Sequence, residues 1–157
     1  MKMTIAASFT LYNIIQNILV EKLEDGTEKE REFPFDVKYK LQRNKAVLQP
    51  DAESFNAKRI ELIRELGTEN KENNTIKITE DRLSEFKDRI TEFAGNQVEH
   101  ELLKLSINDV ETIKIPYTSG VEMDLFMSTM VDDPELYDTL EIETSTEVET
   151  TDEKGNS

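Results

Sequence analysis

Carboxylates are the side chains best supplied for chemistry in this chain of 157 residues, with 34 of them against 19 lysines and arginines. Glu61 with Glu65, and Asp81 with Glu85, are four positions apart, one turn of a helix, which is the spacing a paired acid and base or a two-metal site would use. Such pairs work only in a dry pocket with positioned partners. These alternate with cations instead, as in Glu61-Arg64-Glu65 and Glu85-Lys87-Asp88-Arg89, the pattern of solvated helix faces. His100, the single histidine, has Glu99 and Glu101 beside it but no nucleophile near it in sequence, and reads as a structural or surface residue. Asp124 with Asp132 and Asp133 could hold calcium loosely, yet no Asp-x-Asp-x-Asp-Gly loop supports that. There is no cysteine, which excludes disulfides and thiolate metal sites. No P-loop, G-x-G-x-x-G, G-x-S-x-G or H-E-x-x-H pattern occurs. The expectation is a protein that is not an enzyme, with no catalytic residue, metal or cofactor.

The charge is unevenly placed. Asp132 to Ser157 carries ten acids against Lys154, so nine of the fifteen excess negative charges sit there, and Met1 to Val131 is left with a net charge of −6. Two units are therefore expected: a single helix-rich globular domain over residues 1–131 and an acidic tail over 132–157. The densest basic stretch is Lys38, Lys40, Arg43 and Lys45, but its helical angles scatter over more than one face and Asp36 interrupts it. Direct nucleic-acid binding is not expected from such a pattern. No apolar run reaches the roughly 18 to 20 residues that span a bilayer. Met1 to Val20 lacks the basic start and small-residue cleavage site of a signal peptide. A cytoplasmic protein without a membrane partner is the corresponding expectation.

The elements that must carry these residues follow from periodicity. Phe9, Leu11, Ile14, Ile15, Ile18 and Leu19 recur every three or four positions, predicting a helix over Ala7 to Val20 with Ser8 or Thr10 as its cap. Its other side carries Asn13, Gln16 and Asn17, uncharged polar residues that suit either solvent or a partner. Asp25-Gly26 predicts a turn, and Phe33-Pro34-Phe35 predicts a helix start with both phenylalanines pinned on the core. A long helix from Phe35 to Leu66 should bend or break at Pro50 and stop at Gly67. Thr68 to Asn74 reads as a loop and Thr75 to Ile78 as a strand. Leu83, Phe86, Ile90 and Phe93 predict a helix capped by Thr79 and ended by Gly95. Val98 to Ile107 reads as a bulged strand that could pair with Thr75 to Ile78, followed by a turn capped by Asn108 or Asp109. A last helix is expected from Ser119 to Met130. Its stripe Met123, Met127 and Met130 suits core packing or an irregular partner surface.

In the tail, Leu140, Ile142 and Val148 belong to a strict alternation with Glu141, Glu143, Glu147 and Glu149. So polar a segment is expected to be disordered when free, and the alternation would let it add as a strand to a partner's sheet edge.

Together, Tyr39-Lys40-Leu41, Phe55, the run Arg59-Ile60-Glu61-Leu62-Ile63-Arg64-Glu65-Leu66-Gly67, Ile76-Lys77-Ile78, Glu85-Phe86 and the Leu102 to Ile107 segment resemble a small uncharacterised protein family of tailed bacteriophages. The resemblance covers about residues 35–130 and implies no catalytic residues. Pro50 and the acidic extension depart from the family pattern.

The fold expected is α+β, mainly α, with three or four helices, one of them long, and a small accessory β-sheet. The function expected is that of a non-enzymatic phage accessory protein, a virion component or assembly factor, working in the host cytoplasm or incorporated in the virion. It would bind a protein partner or itself through Asn13, Gln16 and Asn17, through Met123, Met127 and Met130, and through Leu140, Ile142 and Val148. The alternative is an acidic DNA-mimic inhibitor of a host defence nuclease or DNA-binding protein, against which the modest charge of the body argues.

Overall fold

Ile14, Ile15 and Ile18 lie on one side of a helix, and an apolar wall of that kind has to be covered by neighbours. A computed structural model describes residues 1–113 and 120–132 and shows this wall at the centre of the core. A short strand, β1 (Lys2–Thr4), leads into α1 (Ile5–Leu19). Thr4 caps the helix, its hydroxyl oxygen accepting from the Ala7 N–H at 3.1 Å. The expected caps Ser8 and Thr10 lie inside the helix instead, because Ile5 already belongs to the buried face and the helix begins one half-turn earlier.

Strands β2 (Val20–Lys22) and β3 (Glu28–Glu30) form a hairpin around the predicted Asp25-Gly26 turn. Gly26 has φ +86°, a conformation that costs an L-residue about 1 kcal/mol or more. After Pro34, α2 (Phe35–Leu66) runs for 32 residues, about 48 Å at 1.5 Å per residue. It is helical through Pro50, so of the bend or break expected there the break does not occur. Proline removes one donor, and Ala46, whose carbonyl loses it, is exposed, as is Pro50, so water can take the vacated acceptor. Phe33 packs on the core as expected. Phe35 does not: it is 85% exposed, with its ring 6.3 Å from that of Tyr39.

Strand β4 (Gly67–Asn70) pairs antiparallel with β5 (Thr75–Ile78), and β6 (Gln97–Glu99) pairs with β1 through Met3 and Val98. The expected pairing of Thr75 to Ile78 with Val98 to Ile107 is thus replaced by two separate ladders. Closing four residues between β4 and β5 costs less chain entropy than bridging a whole helix. The pairing extends through His100, which exchanges backbone bonds with Met1, and Leu103 further on is held by Asn44 of α2. Its Nδ2 donates to the Leu103 carbonyl at 2.8 Å, and its Oδ1 accepts from the Leu103 N–H at 2.7 Å.

Helix α3 (Glu80–Ala94) follows the predicted pattern and contains no buried residue. A short helix, α4 (Ile107–Thr112), is capped by Ser106 and not by Asn108 or Asp109; Asp109 instead closes the capping box from the third helical position. Helix α5 (Gly120–Met130) returns to the core, and Val131 forms a parallel bridge with Leu105. The fold is α+β and mainly α, with five helices and three two-stranded antiparallel sheets among the described residues. Leu11, Ile15, Ile18, Leu41, Leu48 and Phe126 are among its fully enclosed apolar side chains.

Candidate interaction surface

Three chemistry-bearing residues from distant positions meet at one point. Asp51 of α2 accepts the Ser8 hydroxyl at 2.8 Å on Oδ2, and His100 Nε2 lies 2.5 Å from the same oxygen. Ser8 is fully buried, and the His100 and Asp51 side chains are 15% and 16% exposed. A nucleophile is activated by a base that takes its proton, with an acid behind the base. Here serine and histidine each contact the acid and neither serves the other. The cluster is a polar tie between α1, α2 and the residue after β6. Sequence reading missed it, because positions 8, 51 and 100 share no motif and come together only once α1 and α2 are antiparallel.

A second tie holds α4. Lys40 Nζ lies 2.9 Å from Asp109 Oδ2, which also accepts from the Ser106 N–H at 3.0 Å. The Ser106 backbone N–H and the Lys40 ammonium hold the Asp109 carboxyl below the ordinary carboxylate range, against a burial effect of opposite sign. The carboxylate pairs noticed in the sequence separate into different ion pairs. Glu61 meets Lys58 at 3.3 Å, while Glu65 takes two bonds from Arg89 at 2.8 and 3.1 Å. The Arg89 guanidinium accordingly holds Glu65 below its usual range. Glu85 lies 3.6 Å from Arg89, and Asp81 is lowered chiefly by the Thr79 hydroxyl. No group of three or more potential metal ligands occurs among the described residues.

Apolar side chains also remain exposed on α2, β5 and α3. Leu83 of α3 is 36% exposed, and Phe86, Ile90 and Phe93 of the same stripe are only half-buried. Ile60 of α2 and Ile76 of β5 are 44% and 38% exposed. Neither α3 nor these isoleucines had been singled out from the sequence as binding residues. A stripe at helical spacing is most simply a core face, and only the fold shows that too little packs on this one to bury it.

Of the residues proposed from sequence, Asn13 and Asn17 are exposed on α1. Gln16 is half-buried and its Oε1 is enclosed without a hydrogen-bond partner among the described residues. Met123 and Met127 are half-buried, but Met130 is fully enclosed and belongs to the core, so it is not available to a partner. The stripe divides this way because Met130 belongs to the buried core cluster, whereas Met127 packs against it from its edge and Met123 is not part of it. Leu140, Ile142 and Val148 lie outside the described residues. No helix among the described residues is long and apolar enough to cross a membrane. Comparison with protein-family models, with curated proteins and with solved structures finds no match to this chain. The roles of its residues therefore rest on its own geometry.

Proposed function

We propose that the chain works by binding another protein or a second copy of itself, and performs no catalysis of its own. The observation that carries this reading is α3: an amphipathic helix of 15 residues whose apolar stripe has no buried member. A helix of this kind gains its stability chiefly by covering its apolar face. The half-covered stripe, with Ile60 of α2 and Ile76 of β5 also exposed, supports association through apolar contact. The resemblance to a family of tailed bacteriophages narrows the reading to a virion component or assembly factor in the host cytoplasm.

The test compares the intact chain with an Ile60→Ser, Ile76→Ser, Leu83→Ser variant of unchanged thermal midpoint. Sedimentation over a concentration series and co-purification from the native host should show an assembly that the intact chain forms and the variant does not. Association should survive high salt, since apolar contacts are not screened. Equal behaviour of the two proteins would rule the reading out, and salt-sensitive binding lost with the acidic tail would favour the DNA-mimic inhibitor.

A further inference from the structure

Helix α3 sorts its charges by side. Leu83, Phe86, Ile90 and Phe93 follow one another at spacings of three, four and three, as along the seam of a coiled coil. Arg82 and Arg89 stand one position before Leu83 and Ile90, and Lys87 stands one position after Phe86. Those are the places beside a seam where ion pairs to a facing helix form. The acids Asp81, Glu85, Asp88 and Glu92 fall on the opposite side of the helix. Glu80 is the one acid beside the stripe, and it opens the helix, where the positive end of the helix dipole favours a carboxylate. The molecule already uses part of this pattern. α2 packs antiparallel along the Arg89 side: Arg89 donates twice to Glu65, and Lys58, two turns before Glu65, lines a cleft with Glu92, Phe93 and Asn96. α2 ends at Leu66, so Arg82, two turns before Arg89, lies past its carboxylates. Arg82, Leu83 and Lys87 are exposed, and neither of these two cations has an ion-pair partner among the described residues.

We propose that the open half of the α3 stripe, Leu83 with Phe86 and Ile90, takes an acidic amphipathic helix of a different protein. That helix carries apolar residues at matching spacing and glutamates or aspartates beside them, which reach Arg82 and Lys87. The proposal rests on the association reading above and names the chemistry of the partner. Its precedent is within the fold: the helix that covers the other flank of α3 meets Arg89 with the carboxylate of Glu65. A second copy is the wrong complement. Two α3 helices laid side by side in parallel would set Arg82 against Lys87, and in antiparallel would set Lys87 against Lys87. Opposed like charges disfavour both pairings. The stripe holds the partner, as in other grooves that receive a helix, and the cations beside it select which partner is held.

The probe is a synthetic helical peptide of heptads with leucine at each a and d position and glutamate at each e and g position, and its twin carries lysine in place of glutamate. Each is titrated into the intact, isotope-enriched protein. The glutamate peptide should bind and shift the amide resonances of Arg82 to Ile90, leaving those of Leu11 to Ile18 in place. The lysine peptide should bind about tenfold more weakly. In an Arg82→Glu, Lys87→Glu variant, which alters only exposed side chains, the preference should reverse. In about 1 M salt, where the screening length is about 3 Å, the preference should narrow while binding persists. No binding of the glutamate peptide, equal binding of the two peptides, or shifts outside α3 overturns the proposal. Self-association of the intact chain that Leu83→Ser abolishes, with neither peptide bound, also overturns it and leaves the association reading standing.

Discussion

Asp51 and His100, 49 positions apart, meet with Oδ2 and Nε2 2.5 Å apart, and the Ser8 hydroxyl shares that carboxylate oxygen. One acceptor thus ties α1, α2 and the end of the β1 and β6 ladder. Asp51→Ala strands a buried hydroxyl and a mostly buried imidazole, and should cost about 2 to 4 kcal/mol. Ser8→Ala removes the donor cleanly and should cost about 1 kcal/mol. Because both partners act through the same oxygen, Asp51→Ala with His100→Ala should cost less than the two single changes added together, by about 1 kcal/mol. Urea denaturation of the four proteins measures this, and strict additivity would show that the contact carries no energy.

Asp109 gives the fold an acid-sensitive point. Its carboxyl is held below its unfolded value by the Ser106 N–H and by Lys40, so the ionised form is favoured by folding. The stabilisation is complete above the unfolded carboxylate value of about 4 and is lost as pH falls through the lower folded value. Stability measured from pH 6 downward should therefore fall less steeply in Asp109→Asn than in the unaltered chain, with the difference concentrated below about pH 4. Lys40→Met should reproduce part of that flattening. Identical acid profiles would remove Asp109 from the account.

Periodicity made the helices legible. Leu83, Phe86, Ile90 and Phe93 gave α3, and the spacing of Phe9 to Leu19 gave α1, because a helix declares itself through neighbours three and four residues away. The pairing of strands was not legible. Thr75 to Ile78 shows its alternation but carries nothing that names its partner, and the polar Thr68, Glu69 and Asn70 conceal the strand it pairs with. Pro50 left two outcomes open for a related reason. A local rule predicts a bend or a break, whereas the cost depends on whether the freed carbonyl reaches water, which only the packing decides. The Ser8, Asp51 and His100 junction and the under-covered α3 stripe are both properties of tertiary arrangement, so neither could be read from spacing.

Gly67 and Gly26 should resist substitution for different reasons. At Gly67 a Cβ would collide with the Ile63 carbonyl and with the Ile76 side chain, where α2 turns directly into β4. Gly67→Ala should cost about 1 to 3 kcal/mol, the usual penalty for overpacking. At Gly26 nothing lies within 4 Å, and only the positive φ opposes substitution. Gly26→Ala should cost about 1 kcal/mol, and Gly26→Asn less, since asparagine tolerates that conformation. Thermal denaturation ranks the three, and a Gly67→Ala protein as stable as the original would contradict the packing at the α2 to β4 junction.

Asn44 is the strongest case of a side chain doing backbone work. It is fully buried and supplies both a donor and an acceptor to Leu103, so α2 serves as the strand partner that this segment lacks. Asn44→Leu keeps the branched shape at a larger volume and removes both bonds, leaving the Leu103 N–H and carbonyl without their partner. The loss should be about 2 to 4 kcal/mol, more than for any single exposed polar residue. Asn44→Asp is the more informative change. It keeps an acceptor for the Leu103 N–H but turns a second carboxylate oxygen toward the Leu103 carbonyl, so repulsion replaces the lost donor. In native-state hydrogen exchange the Leu103 amide should lose protection in Asn44→Leu while that of Leu11 in α1 keeps more of its own. If the Leu103 amide stays protected in Asn44→Leu, another acceptor holds it and the assignment of Asn44 as its partner is wrong.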